Sequence, residues 1–302
     1  MSTSLLCCIP LPVVGAHGLI VALALAGGAV ASAADGASTA DARRLLDAGK
    51  FEQARAALEP IVAAEPKNAE AVCYLGWAEL RLNQPEQAVT TLERAVALDG
   101  TRSLYFQVLG DACGQMTQQA SFFAKPGWAR KCLTAYSKAV ALDPDNLDAR
   151  AARMGYYWHA PAIAGGGMDK AYAEAGEIRR RDAVRGAQAL ADLYVSDKKF
   201  AEAFAAVDEL ITKNPENMPA RYQLGRLCAI TGQQLDRGAA ALQAYLQYQP
   251  QGKEPGIAPA HWRLGMIQEK RGDPAAARAE YEAALQLAPD FAAARDALAK
   301  LR

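Results

Sequence analysis

The residues best placed to do chemistry are Gly165, Gly166 and Gly167, with Lys170 shortly after them in "GGGMDK". Backbone amides of a glycine-rich turn can converge on a phosphate, and a lysine can neutralise it. A phosphate loop needs GxxxxGK followed by Ser or Thr, after a strand. Here Met168 and Asp169 intervene, Ala171 follows the lysine, and the Asp169 carboxylate would repel an anion. His159 is the other temptation. A general base needs an orienting partner and a pocket, and no Ser/His/Asp or Cys/His set can be assembled from the spacing. The chain has three histidines and no CxxC pair, so a zinc ligand set is missing as well. The sequence predicts no enzyme, no metal and no cofactor.

The elements that would position these residues are helical. The chain is 51% hydrophobic but only 7% aromatic. Alanine, the best helix former, supplies much of the apolar share. Helix stops recur at Pro66, Gly100, Pro144, Pro215, Pro250 and Pro289, the first two 34 residues apart, and proline cannot continue a helix. Between stops, Leu75-Gly76, Leu109-Gly110, Leu224-Gly225 and Leu264-Gly265 fall mid-helix. A second short break then leads to Ala88, Ala203 and Ala277, with Leu92, Val207 and Tyr281 one helical turn beyond. The pattern resembles the tetratricopeptide repeat, a helix–turn–helix unit with small residues where its two helices touch.

The resemblance covers nearly all of residues 38–302, in about seven units. It implies an all-α fold: a right-handed superhelical solenoid of antiparallel helix pairs, closed by a C-terminal capping helix in "DFAAARDALAKLR". Neighbouring units stack because no pair can bury its apolar face alone. The repeat gives the glycines a different job. "PAIAGGGM" becomes a lengthened connection between the helices of the fourth unit, where glycine permits chain reversal. A second insertion, "QASFFAKPGWAR" at 119–130, falls inside the third unit and holds Phe122, Phe123 and Trp128. These aromatics either fold back on the solenoid edge or form part of a recognition surface.

The N-terminus reads as a separate object. Residues 19–30 are apolar, and Ala31-Ser32-Ala33 supplies the small residues of a signal-peptidase site. The expectation is a signal peptide over 1–33, cut after Ala33, with the solenoid occupying 34–302 and no stable membrane span once the leader is gone. Residues 1–18 carry no Lys or Arg, so retention as an anchor is the alternative. An exported, periplasmic location permits disulfides. Cys113 and Cys132 fall on the two facing helices of the third unit, either as a staple or as two buried thiols. Thirty-three basic residues balance thirty-three acidic ones. That leaves no positive surplus to displace counterions from phosphates, so nucleic acid is not an expected partner.

In this family the concave face, lined by the first helix of each pair, usually binds peptides or partner proteins. Helical spacing puts Tyr74, Trp77, Arg81, Gln107 and Asp111 on that face, followed by Gly155, Trp158 and His159, then Asp192, Tyr222 and Arg226, then Trp262, Arg263 and Lys270. Aromatics and arginines dominate, the types enriched at binding hot spots. The resemblance implies a non-enzymatic scaffold or assembly factor that binds another protein or peptide. The alternative is a small-ligand-binding accessory of a solute-uptake system.

Overall fold

The computed structural model describes residues 38–252 and 254–301. The expected leader and its cleavage point at Ala33 lie outside them. The described residues form fifteen α-helices and one short 3-10 turn, with no strand. The helices come in seven antiparallel pairs: α1 (Thr39–Asp47) with α2 (Phe51–Ala64), α3 (Ala69–Arg81) with α4 (Pro85–Leu98), and α5 (Ser103–Gln119) with α6 (Lys125–Leu142). Next come α7 (Leu147–His159) with α8 (Met168–Arg181), joined through η1 (Ala162–Ala164), and α9 (Ala183–Ser196) with α10 (Phe200–Lys213). The last pairs are α11 (Met218–Thr231) with α12 (Leu235–Tyr245) and α13 (Ile257–Lys270) with α14 (Pro274–Leu287); α15 (Ala292–Lys300) caps the end.

A short recurring signal stops one pair and starts the next. In Pro66-Lys67-Asn68, Pro144-Asp145-Asn146 and Pro215-Glu216-Asn217 the proline ends the outgoing helix, and the asparagine two residues on caps the incoming one. The Asn68, Asn146 and Asn217 Oδ1 atoms accept the Ala71, Ala149 and Ala220 amides at 3.0, 2.9 and 3.0 Å. The Leu-Gly pairs act within a unit. A Cβ on Gly76 would stand 2.6 Å from Leu92, on Gly110 2.5 Å from Tyr136, on Gly225 2.3 Å from Leu242, and on Gly265 2.4 Å from Tyr281. The missing side chain is what lets a bulky residue of the second helix reach the axis of the first.

Each second helix packs on the first helix of its own pair and of the next, and first helices also touch each other along the chain, as α1 does α3 and α11 does α13. The first helices therefore line one continuous face. The insertion expected at 119–130 is shorter than its sequence suggests. Lys125 to Arg130 already belong to α6, because Pro126 sits in its first turn, where a missing amide donor costs nothing. Trp128 is thus a helical, half-buried residue, while Phe122 and Phe123 stay in the turn.

Candidate functional site

From α1 to α11, the face of the first helices is held together by side chains that step from one repeat to the next. From α1 to α3, the Arg43 guanidinium lies 5.5 Å from the Tyr74 ring centre and 4.7 Å from that of Trp77. From the turn after α3 to α5, Gln115 Nε2 donates to Asn83 Oδ1 at 2.6 Å. From α5 to α7, Asn146 Nδ2 donates to Gln107 Oε1 at 3.0 Å. From α7 to α9, Trp158 Nε1 donates to Ser196 Oγ at 3.2 Å, and Arg185 pairs with Asp148 at 2.7 Å. From α9 to α11, Arg226 pairs with Asp192 at 2.6 Å, and Gln223 Nε2 donates to Gln188 Oε1 at 3.0 Å. At the end, Trp262 meets Phe291, just before α15, edge to face with ring centres 5.5 Å apart.

These contacts sort the residues expected on the groove. Trp77, Arg81 and Asp111 come together in one cleft, with Leu80, Asn83 and Gln115. Arg81 also lies over the Phe51 ring at 4.9 Å. Asp192 and Arg226 form an ion pair, and Arg263 stacks on Trp262 with its guanidinium carbon 4.0 Å from the ring centre. Gln107 serves Asn146. Tyr74 and Tyr222 are buried, so their rings act mainly as packing between helices. His159 is exposed and stacks on Trp158 at 4.6 Å. Gly155 faces open space, and Lys270 is exposed in the last turn of α13. The spacing argument missed Arg43, although it stands 34 residues before Trp77 as Trp77 stands 34 before Asp111. The repeat interval itself was the signal.

Two charges on this face are poorly compensated. Burial pushes the Asp111 carboxyl up to about 6, against the opposing effect of the Tyr136 hydroxyl, which donates to Oδ1 at 2.8 Å. Burial also holds the Arg263 guanidinium below its usual range, and the Arg226 cation beside it adds to that. Arg263 Nε is buried without a hydrogen-bond partner. Chemistry at sulfur is not on offer. Cys73, Cys113, Cys132 and Cys228 are free and buried in this structure, and a buried free cysteine packs as a small apolar residue. Burial pushes the Cys113 and Cys132 thiols up to about 11 and 12, away from the reactive thiolate. Among the described residues no group of three or more His, Cys, Asp or Glu side chains could hold a metal ion. None of their helices is long and apolar enough to cross a membrane.

Residues 45–111, 189–252 and 258–291 each match a tetratricopeptide repeat model, and the three matches together take in more than half of the chain. The chain belongs to the tetratricopeptide repeat family. Its fold is similar to that of a tetratricopeptide repeat protein from Parabacteroides merdae ATCC 43184, at 16% identity and a TM-score of 0.57, over 87% of this chain and 96% of that one. It is also similar to yeast Tom70, at 14% identity and a TM-score of 0.61, over 83% of this chain and 51% of Tom70. No curated protein sequence matches significantly. The tetratricopeptide fold is in general a non-catalytic scaffold for protein–protein contacts.

Proposed function

We propose that this tetratricopeptide protein is a non-enzymatic scaffold or assembly factor, acting outside the cytoplasm, that holds a protein or peptide segment along its first-helix face. The observation that carries the reading is the pairing of rings with guanidinium groups near both ends of that face: Arg43 on Tyr74 and Trp77, and Arg263 on Trp262. Trp and Arg are the types that concentrate binding energy at interfaces. Trp77, Trp262 and Arg263 are only half-buried, so each keeps surface for a partner. A partner that brings an acceptor to the buried Arg263 Nε would satisfy a donor that is otherwise unpaired. Action outside the cytoplasm rests on the apolar 19–30 segment followed by Ala31-Ser32-Ala33.

The test is co-purification from intact cells. Wild-type chain should retain a protein partner, and Trp77→Ala combined with Trp262→Ala should lower its recovery by about tenfold or more while helical content is kept. Equal recovery with the double variant overturns the groove reading. Thermal stabilisation of the partner-free protein by a single small metabolite would point instead to a solute-uptake accessory. Fractionation that leaves the chain in the cytoplasm removes the export part.

A further inference from the structure

The α5–α6 pair carries a surface that the first-helix face does not use. Phe122 and Phe123 are 82% and 91% exposed in the turn between the two helices. Their rings meet each other edge to face with centres 5.6 Å apart. Ile163, in the loop of the next pair, is 98% exposed. That loop is seated on α6, where a Cβ on Gly165 would lie 3.2 Å from Leu133. Two exposed rings and an exposed isoleucine keep in water apolar area that folding would ordinarily bury.

Charge says what would cover them. From Ala112 to Leu142 the chain has no Asp or Glu, while Lys125, Arg130, Lys131 and Lys138 all fall there, in a protein whose net charge is zero. Lys131 is shared with Glu93 at 3.1 Å; Lys125, Arg130 and Lys138 make no ion pair among the described residues. Arg130, Lys131 and Lys138 also edge an apolar cleft floored by Phe106, Leu109 and Ala135. Trp128 stands one turn into α6, half-buried, with the Lys131 ammonium 4.9 Å from its ring centre. Aromatic side chains at a tip, with cations beside them and no acid in the same stretch of chain, match an interfacial anchor for a negatively charged bilayer. A protein partner for a protruding tip would have to supply a pocket of its own. A bilayer admits the rings without one.

We infer that the Phe122–Phe123 turn, with Lys125 and Arg130 behind it, is a docking surface for an anionic lipid bilayer. The rings enter the headgroup boundary, and the cations face the lipid phosphates. This surface is separate from the first-helix groove, so either can stand if the other fails.

The test uses the full chain with vesicles of phosphatidylcholine containing about one third phosphatidylglycerol, and with phosphatidylcholine alone. Hydrogen exchange is followed at residues 119–131, which isolates this turn from any other segment that touches lipid. The expected result is protection of the turn by the anionic vesicles and not by the neutral ones. Phe122→Ser with Phe123→Ser should abolish that protection and weaken vesicle binding through the turn by about tenfold or more. Lys125→Glu with Arg130→Glu should weaken it by at least about fivefold. Both substitutions fall on exposed side chains, and an unchanged circular-dichroism melt confirms the fold. An unprotected turn on anionic vesicles overturns the proposal, even where the chain cosediments. So does equal protection by neutral vesicles, or protection that survives loss of both rings. A turn protected only by an added protein is a protein contact, and the lipid assignment falls.

Discussion

The α5–α6 and α7–α8 pairs stand next to each other, each with an enlarged turn and each with an acidic side chain reaching between its two helices, yet they solve both problems differently. In α7–α8 the acid is Glu174, and its charge is met twice. Arg150 Nη1 donates to it at 2.6 Å, Arg153 Nε at 2.9 Å, and Arg150 Nε goes on to the Pro144 carbonyl at 2.6 Å. The turn above is tied down as well. Tyr156 donates to the Ala164 carbonyl at 2.6 Å, the Gly167 amide to Tyr157 at 2.8 Å and Lys170 to the Gly165 carbonyl at 2.9 Å. In α5–α6 the acid is Asp111, held by one hydroxyl, and the turn above presents two phenylalanines to solvent. Length of insertion therefore says little about freedom. What decides it is whether the turn's backbone groups find partners on the helices beneath.

The largest break in the contrast should come from Glu174→Gln. Arg150 and Glu174 are both 5% exposed. Removing the negative charge leaves a buried guanidinium uncompensated, which costs about 3–5 kcal/mol. Urea unfolding should show that loss, and a loss under about 1 kcal/mol would mean that water reaches the triad.

The next effect compares one glycine from each insertion. A Cβ at Gly166 would lie 1.8 Å from the Ala160 carbonyl oxygen, a backbone atom that cannot swing aside, whereas a Cβ at Gly127 meets nothing within 4 Å. Gly166→Ala should destabilise by about 2–3 kcal/mol. Gly127→Ala, in the first turn of α6, should be neutral or stabilising by up to about 1 kcal/mol. Equal melting temperatures for the two variants would show that the backbone at Gly166 can shift away from the Ala160 carbonyl at no cost.

Legibility in the sequence follows the same division. The pairs could be read because their signals are local. A proline stops a helix wherever it falls, an asparagine two residues later supplies its own cap, and Gly110 leaves a space that Tyr136 fills. The seven pairs and the final α15 follow from such signals. The direction of a side chain is harder to read, since one residue turns a helix by about 100°. Tyr74 and Tyr222 share the interval of the groove residues and are buried, whereas Trp77 and Trp262 keep solvent-facing surface. Non-local contacts left no mark in composition. Nothing near Asp111 in the chain announces that its hydroxyl partner is Tyr136, and Lys125–Arg130 of the expected insertion belong to α6 because Pro126 fits a first helical turn.

The smallest effect separates the two acids by pH. Burial raises the folded-state pKa of Asp111 from 3.8 to about 6, with Tyr136 and Arg81 opposing the rise and Asp148 adding to it. The unfolded chain therefore gives up this proton at lower pH than the folded one. Between about pH 4 and pH 6 the folded state binds the extra proton, and stability from this group falls as pH rises, by about 1–2 kcal/mol for a half-buried carboxyl. Below that window the contribution is fully present, and above it the loss is complete. Asp111→Asn keeps an oxygen for the Tyr136 hydroxyl and carries no charge, so the wild-type disadvantage should be absent at pH 4 and complete by pH 7. Unfolding free energies of the two proteins at pH 4, 5, 6 and 7 give that difference directly, and taking the difference cancels the titration of every other carboxylate. A flat difference would place Asp111 in contact with solvent and remove the contrast with Glu174. A difference that closes when a groove partner is added would mean that the partner supplies the compensation Arg150 and Arg153 give Glu174, and would make Asp111 part of the binding surface.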